Sequence, residues 1–293
     1  MRLAFRVVVD SRDKRTEFTP QFVKDAGAKG FMNKGKWSPY SDDPVFQKYY
    51  TKFVKALAKD FNDPSKVEFI DGFGLGKWGE YHTMIYSTGD DTPKKAVFDW
   101  VTDIYSQAFD KVPVVINYHR WIGAGKDWVD DEHFAADSEE MLEEAIKKGY
   151  SLRHDAFGMT TYYGSWERRF AKKYRNICPI IMEGGWIVKS HSYWQDPRGY
   201  RKDSHEDVRR GEFDDSKEAH VNMMDFRFGD TESWFKDAFD LVRRFLREGG
   251  YRLYPSEISL PLEVSKKTTP TIKHCWNNMG WGYCLSLIHI SEP

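Results

Sequence analysis

A chain of 293 residues is long enough to bury about three quarters of its unfolded surface, so it can build a core without disulfides or a structural metal. Its 44 Lys and Arg against 45 Asp and Glu leave a formal net charge of -1, which gives no electrostatic support to a nucleic-acid or acidic-membrane partner. Cys178, Cys275 and Cys284 show no Cys-x-x-Cys spacing, no apolar run reaches the roughly eighteen residues of a membrane span, and Leu3 to Val9, broken by Arg6, is too short for a signal-peptide core.

Apolar runs of strand length alternate with helical patterns along most of the chain, which predicts βα units around a parallel sheet. The first strand is expected at Leu3 to Asp10. Asp43-Pro44 then supplies an N-cap and a proline at the first helical position, and Phe46, Tyr49, Tyr50, Phe53, Val54 and Leu57 form one apolar stripe up to Asp63-Pro64. The second strand, Val67 to Phe73, runs into the glycine-rich turn Gly74 to Glu80. A helix opening at Thr92-Pro93 carries Val97, Trp100, Val101, Ile104 and Tyr105 on one face.

The third strand, Val112 to Tyr118, ends in His119-Arg120. Asp137 and Glu140 have the spacing of a capping box, and the helix they open closes with Lys147, Lys148 and Gly149. Tyr150 to Phe157 is a strand holding Arg153 and Asp155. Next come a helix with Trp166, Phe170 and Tyr174 on one face and a strand at Cys178 to Met182, terminated by Glu183-Gly-Gly-Trp186. His191 to Ser216 has no sustained apolar period and reads as a surface excursion. A strand at His220 to Phe226 precedes one helix from Trp234 to Leu246, stopped by Gly249-Gly250.

From Tyr251 to Gly282 short alternating segments with Pro255, Pro261 and Pro270 replace the helical pattern and predict an all-β segment. The last nine residues, Leu285 to Pro293, resemble the translated read-through of a sequencing adapter and are kept out of every site argument. The expected organisation is residues 1–249 as a partial α/β barrel, 250–284 as the start of an all-β domain, and 285–293 as an artefact, with the gene cut at both ends.

Six such units suit a (β/α)8 barrel lacking two strands or an open doubly wound sheet. Nearly every expected strand ends in charged, aromatic or glycine residues: Asp10, Glu80 with His82, His119-Arg120, Asp155, Glu183 with Trp186, and Arg227 with Asp230. A barrel gathers its site from many strand ends, whereas a doubly wound sheet binds ligands at one switch point, and no Gly-x-Gly-x-x-Gly opens a helix here. The barrel is therefore the expected fold.

Glu80 and Glu183 each follow a buried strand in a Gly/Trp context, where glycine lets backbone approach a ligand and tryptophan offers a flat face to a sugar ring. Paired carboxylates are what glycosidic cleavage needs, one to protonate the leaving oxygen and one to attack or to activate water. Trp78, His82, His119, Arg120, Arg153, Asp155 and Trp186 are candidates to hydrogen-bond or stack a sugar. A zinc site of His82, His119 and Asp155 has no support from spacing, so neither a metal nor a cofactor is expected.

The segments Trp37-Ser-Pro-Tyr40, Asp43-Pro-Val-Phe46, Ile70-Asp-Gly-Phe-Gly-Leu-Gly-Lys-Trp-Gly-Glu80-Tyr-His82, Ile180-Ile-Met-Glu183, Gly249-Gly-Tyr-Arg252 and Trp276-Asn-Asn-Met-Gly280 resemble clan A barrels related to glycoside hydrolase family 42. Most closely they resemble the domain-of-unknown-function family 4832, a glycosidase-like barrel followed by a β-sandwich. The resemblance implies that strands three to eight are present, that Glu80 is the acid/base and Glu183 the nucleophile of a retaining hydrolase acting on a poly- or oligosaccharide, and that the whole protein is secreted or periplasmic. It departs at Gly79, where clan A places an asparagine that holds the sugar 2-hydroxyl. The alternative is a non-catalytic carbohydrate-binding barrel that has lost the catalytic constellation. The sequence leaves the oligomeric state open.

Overall fold

The structure is a computed structural model that describes residues 2–10, 12, 16–126, 133–159, 162–184, 205–226, 231–267 and 269–284. The chain falls into two compact units, Met1–Asp155 with Thr161–Phe170, and Ala156–Thr160 with Ala171–Pro293.

In the first unit the described elements are β1 (Leu3–Arg6), α1 (Gln21–Asp25), β2 (Gly30–Asn33), β3 (Lys36–Pro39), α2 (Pro44–Phe61), β4 (Val67–Asp71), α3 (Lys94–Ala108), β5 (Val114–Asn117), α4 (Ser138–Lys147), most of β6 (Ser151–Phe157) and the start of α5 (Ser165–Tyr174). β1, β4, β5 and β6 lie side by side in that order and every pairing is parallel. β5 is buried throughout and β4 at all but Glu68, as expected of parallel strands covered on both faces.

α2 starts where the sequence predicts, with the Asp43 carboxylate accepting from the Phe46 amide at 2.8 Å and Pro44 in the first turn. Its buried face is Phe46, Tyr50 and Val54, while Phe53 at the stripe's edge stays exposed. Tyr50 donates to the Phe73 carbonyl at 3.0 Å and Tyr150 to the Gly72 carbonyl at 2.8 Å, satisfying the backbone just past β4 where ladder bonding stops. A Cβ at Gly72 would stand 2.1 Å from Val114 Cγ1, so only glycine fits between β4 and β5 there.

Two expectations are corrected in this unit, and one element is added. β1 is shorter than Leu3 to Asp10, although Val9 still donates to the Gly74 carbonyl at 3.2 Å. The hairpin of β2 and β3 was not anticipated; it turns through Lys34 and Gly35, both at positive φ. The Asp137 capping box does not form. The Asp137 carboxylate instead meets Lys94 Nζ at 2.7 Å, because a buried ammonium needs a counter-charge more than a helix end needs a cap.

The second unit contains the ends of β6 and α5, then β7 (Ile180–Gly184), α6 (His205–Glu218), β8 (Met223–Met224), α7 (Thr231–Lys236), α8 (Phe239–Glu248), β9 (Leu253–Ser259) and β10 (Lys273–Asn278). β7 and β8 are parallel; β9 and β10 form an antiparallel, exposed hairpin. α6 occupies part of the expected excursion. It buries Arg209, Glu212, Asp215 and Ser216 with Phe213, so a buried face made largely of polar groups hid its period. The single helix expected from Trp234 to Leu246 is two, since the amides of Asp237 and Ala238 both turn back to the Ser233 carbonyl.

Parallel strands alternating with helices make this an α/β fold of the kind a partial (β/α)8 barrel contains. Of the expected β-sandwich, the described residues hold the β9–β10 hairpin and no sandwich. Residues 185–204, 227–230 and 285–293, including Trp186, Arg227 and Asp230, lie outside the described residues.

Candidate active site

The segment after β4 is held in an unusual conformation. Gly74, Gly76, Trp78, Gly79, Tyr81 and Thr83 all have positive φ, from 50° at Thr83 to 77° at Gly79. For Trp78, Tyr81 and Thr83 this costs about 1–2 kcal/mol each. The surroundings impose it: Gly123 donates to the Tyr81 carbonyl at 2.8 Å, Met84 to the Ala124 carbonyl at 3.0 Å, and the buried Tyr81 hydroxyl to the Lys94 carbonyl at 3.1 Å. Strain maintained by neighbouring elements is characteristic of functional loops.

Glu80 sits in this loop and is buried. Its Oε1 accepts from Arg6 Nη1 at 2.6 Å and lies 3.5 Å from Arg153 Nη2. Asp71, the last residue of β4, accepts at Oδ2 from Arg6 Nε at 2.8 Å and Arg153 Nε at 2.7 Å. Two guanidiniums and two carboxyls therefore alternate around a closed ring contributed by β1, β4, β6 and the loop. A third carboxyl, Asp155, belongs to the same cluster and feels the Glu80 side chain. Asn117 Nδ2 lies 3.4 Å from Asp155 Oδ1 and His154 Nδ1 lies 3.8 Å from it.

Three buried imidazoles surround these acids. His82 Nε2 is 3.7 Å from Glu80 Oε2, and its Nδ1 meets Thr83 Oγ1 at 2.8 Å. The Trp121 amide donates to His119 Nδ1 at 3.3 Å, which leaves the His119 hydrogen on Nε2, donating to the Glu80 carbonyl at 3.2 Å. His154 packs edge-on between the rings of Tyr118 and Tyr163. Burial, which disfavours the charged ring, holds His119 down to about 4 and His154 to about 3, and lowers His82 as well, aided by the neighbouring His119. All three are neutral at neutral pH. Burial pushes Asp155 up, but the neighbouring Glu80 side chain, then His154, Arg6 and His82, hold it below the usual carboxylate value.

Glu80, His82, His119, Arg153 and Asp155 thus come together at the C-terminal ends of adjacent strands. Trp78 is at the rim, 37% exposed, with Lys77 Nζ 4.2 Å from its ring centroid and His82 edge-on. Arg120 has a different task. Its Nη1 forks onto both oxygens of the fully buried Glu167 at 2.9 and 3.0 Å, and its carbonyl receives the Ser138 hydroxyl, closing the loop between β5 and α4. Glu183 is in the second unit, half-buried at the end of β7.

Arg6, Asp71, Asn117 and His154 were not anticipated in the site. The available signal was charge inside apolar runs, since Arg6 interrupts Leu3 to Val9 and Asp71 follows Phe69-Ile70. Among the described residues no group of three or more His, Cys, Asp or Glu is arranged to hold a metal ion, and no helix is long and apolar enough to cross a membrane.

The structure also accounts for Gly79. At φ +77° a Cβ would stand 2.8 Å from the Val7 carbonyl and 3.1 Å from Arg6 Cδ, so an asparagine cannot be accommodated in this loop without displacing β1's continuation.

No family model matches the chain, and no curated protein does. Among solved structures, endo-glycoceramidase II from Rhodococcus sp. as its lactosyl-enzyme intermediate is 14% identical with a TM-score of 0.38, covering 75% of this chain and 54% of that one. Its cellobiose-like isofagomine complex gives 13% identity and a TM-score of 0.28, covering 58% and 50%. The chain spans about half the length of these structures.

Proposed function

We propose that the chain carries the site of a retaining glycoside hydrolase acting on a poly- or oligosaccharide, with Glu80 as acid/base and Glu183 as nucleophile. The observation that supports it is the convergence of the Glu80 carboxyl with His82, His119, Arg153 and Asp155 on a strained, externally braced loop at the end of a parallel strand. Trp78 at the rim offers a face on which a sugar ring can lie.

In this reading the Glu183 carboxylate bonds to the anomeric carbon as the glycosidic C–O bond breaks. The electron pair stays on the leaving oxygen, which takes the proton from Glu80. Glu80, now a base, removes a proton from water, whose oxygen displaces Glu183 and restores both groups. The scheme requires carboxyl groups about 5–5.5 Å apart. The neutral imidazoles leave the proton inventory of the acid site to its carboxyls.

A panel of aryl glycosides with activated leaving groups tests it. Glu80→Gln should retain glycosylation of the enzyme but stall at deglycosylation, and azide should restore turnover with retained configuration. Glu183→Gln should abolish turnover, and Glu183→Gly with azide should give the inverted glycosyl azide. Azide products of the opposite configurations would reverse the two roles.

The engagement of Glu80 Oε1 by Arg6 at 2.6 Å favours a second reading, a binding barrel in which the ring of charges is structural. Oligosaccharide binding without turnover, unchanged by Glu183→Gln, would select it.

A further inference from the structure

The peptide between Glu80 and Tyr81 is buried and held at both of its polar ends. Its N–H, carried by Tyr81, donates to the Leu75 carbonyl at 3.0 Å, and its carbonyl, carried by Glu80, accepts from His119 Nε2 at 3.2 Å. The two dihedral angles that flank this peptide are uncommon ones: Glu80 has ψ 9° in the bridge region, and Tyr81 has φ 61° in the left-handed region. Returning Tyr81 to an ordinary φ would relieve about 1–2 kcal/mol, but it requires the peptide to swing and takes the Glu80 carbonyl away from His119. The Glu80 Cβ is joined to the same backbone, so the aim of its carboxyl depends on where that peptide stands.

His119 is itself fixed from behind. The ring lies just past β5 and is fully buried, and its Nδ1 accepts from the Trp121 amide at 3.3 Å, so in the neutral form the hydrogen is on Nε2. Burial keeps the ring neutral by holding its pKa to about 4. The next residue is immobilised in turn, with the Arg120 amide donating to Glu167 Oε1 at 3.1 Å and its guanidinium engaging the same carboxylate. A neutral imidazole has one N–H, and His119 directs it to the Glu80 carbonyl rather than toward a sugar hydroxyl.

We propose that His119 is a positioning residue, latching the Glu80–Tyr81 peptide so that the Glu80 carboxyl points at the oxygen it must protonate. The latch itself stands on the geometry, while its catalytic consequence rests on the glycosidase reading with Glu80 as the acid. Without the latch the Glu80 carbonyl is left buried and unpaired beside a strained Tyr81, and the peptide moves to relieve both.

Two substitutions, each imitating one ring nitrogen, form the experiment on the full chain. His119→Gln places an amide donor near the Nε2 position, whereas His119→Asn offers the Trp121 amide an acceptor near Nδ1 and does not reach the Glu80 carbonyl. On aryl glycosides of graded leaving-group acidity, His119→Asn should lower kcat/KM about 100-fold for the poorest leaving groups and little for the most activated, which need no proton. His119→Gln should stay within about tenfold of the unaltered protein throughout. A loss equal for all leaving groups, a change confined to KM, or equal effects of the two substitutions overturns the proposal. Two NMR measurements need no turnover. At pH 7 the ring nitrogens of His119 in the unaltered protein should show the hydrogen on Nε2, a result that decides even where a variant fails to fold. The Tyr81 amide should exchange faster in His119→Asn than in the unaltered protein or in His119→Gln. A hydrogen on Nδ1, or Tyr81 exchange unchanged in His119→Asn, refutes the latch. Failure of the glycosidase reading looks different, namely no turnover of any aryl glycoside by the unaltered protein with both NMR results intact.

Discussion

Lowering the pH from 7 to 5 should destabilise this protein by about 4 kcal/mol through two histidines alone. An unfolded imidazole titrates near 6.5, whereas burial holds His119 to about 4 and His154 to about 3. A group whose folded pKa is depressed stabilises the fold above its unfolded pKa, and that stability drains away as the pH falls toward the folded value. At pH 5 the unfolded chain has taken up nearly one proton per histidine and the folded chain almost none, which costs roughly 2 kcal/mol for each ring relative to pH 7. His82 acts in the same direction. The Asp155 contribution is constant over this interval, since its loss begins only in the ordinary carboxylate range and below. Urea denaturation at pH 7, 6 and 5 should show a falling midpoint at constant slope, and His154→Phe, which keeps the aromatic packing against Tyr118 and Tyr163, should lessen the pH dependence by about one proton. Stability flat within about 1 kcal/mol between pH 7 and 5 would refute the argument that these rings are folded in neutral form.

Gly79→Asn should lower stability by more than about 2 kcal/mol, read from the same denaturation curves, because it adds a left-handed penalty to a clash with the Val7 carbonyl. Glu167→Ala should cost about 3–5 kcal/mol by leaving the buried Arg120 guanidinium without its counter-charge, and Glu167→Gln should recover part of that loss. Asp43→Ala should cost about 1 kcal/mol, the worth of the α2 N-cap, read from the same denaturation curves. Asp137→Asn should destabilise through Lys94 and leave the helicity of α4 unchanged, since Asp137 does not cap it; circular dichroism beside a melt separates the two effects.

What could be read from the sequence followed how apolar each element's buried face is. The parallel strands and α2 announce themselves because Val, Ile, Phe and Tyr mark their cores and Asp43-Pro44 marks a helix start. α6 escaped because what it buries includes Arg209, whose guanidinium pairs with Glu212 and lies 5.1 Å from the Trp234 ring centroid, and whose Nε meets Ser233 at 2.6 Å. The β2–β3 hairpin escaped because Lys34-Gly35 is a less telling turn pair than Asn-Gly, with a lysine taking the left-handed position. At the site, Glu80, His82, His119 and Asp155 were legible as chemistry-bearing types near strand ends. Arg6 and Asp71 were not, since their importance lies in a ring closed by residues 65 and 82 positions apart, which no local pattern carries.

The braces on the Glu80 loop bear on the order in which the chain assembles. The bonds that hold residues 74–84 in their left-handed turns come from Val9, Lys94, His119, Gly123 and Ala124, segments that lie on both sides of the loop in sequence. Local preference opposes the shape at Trp78, Tyr81 and Thr83, so nothing favours it until those segments are in place. Closing such distant contacts carries the entropy of the intervening chain. The acid pocket is accordingly a late product of folding, set only once β1, β5 and α3 have met, and its amide protection during refolding should lag that of the strands it crowns.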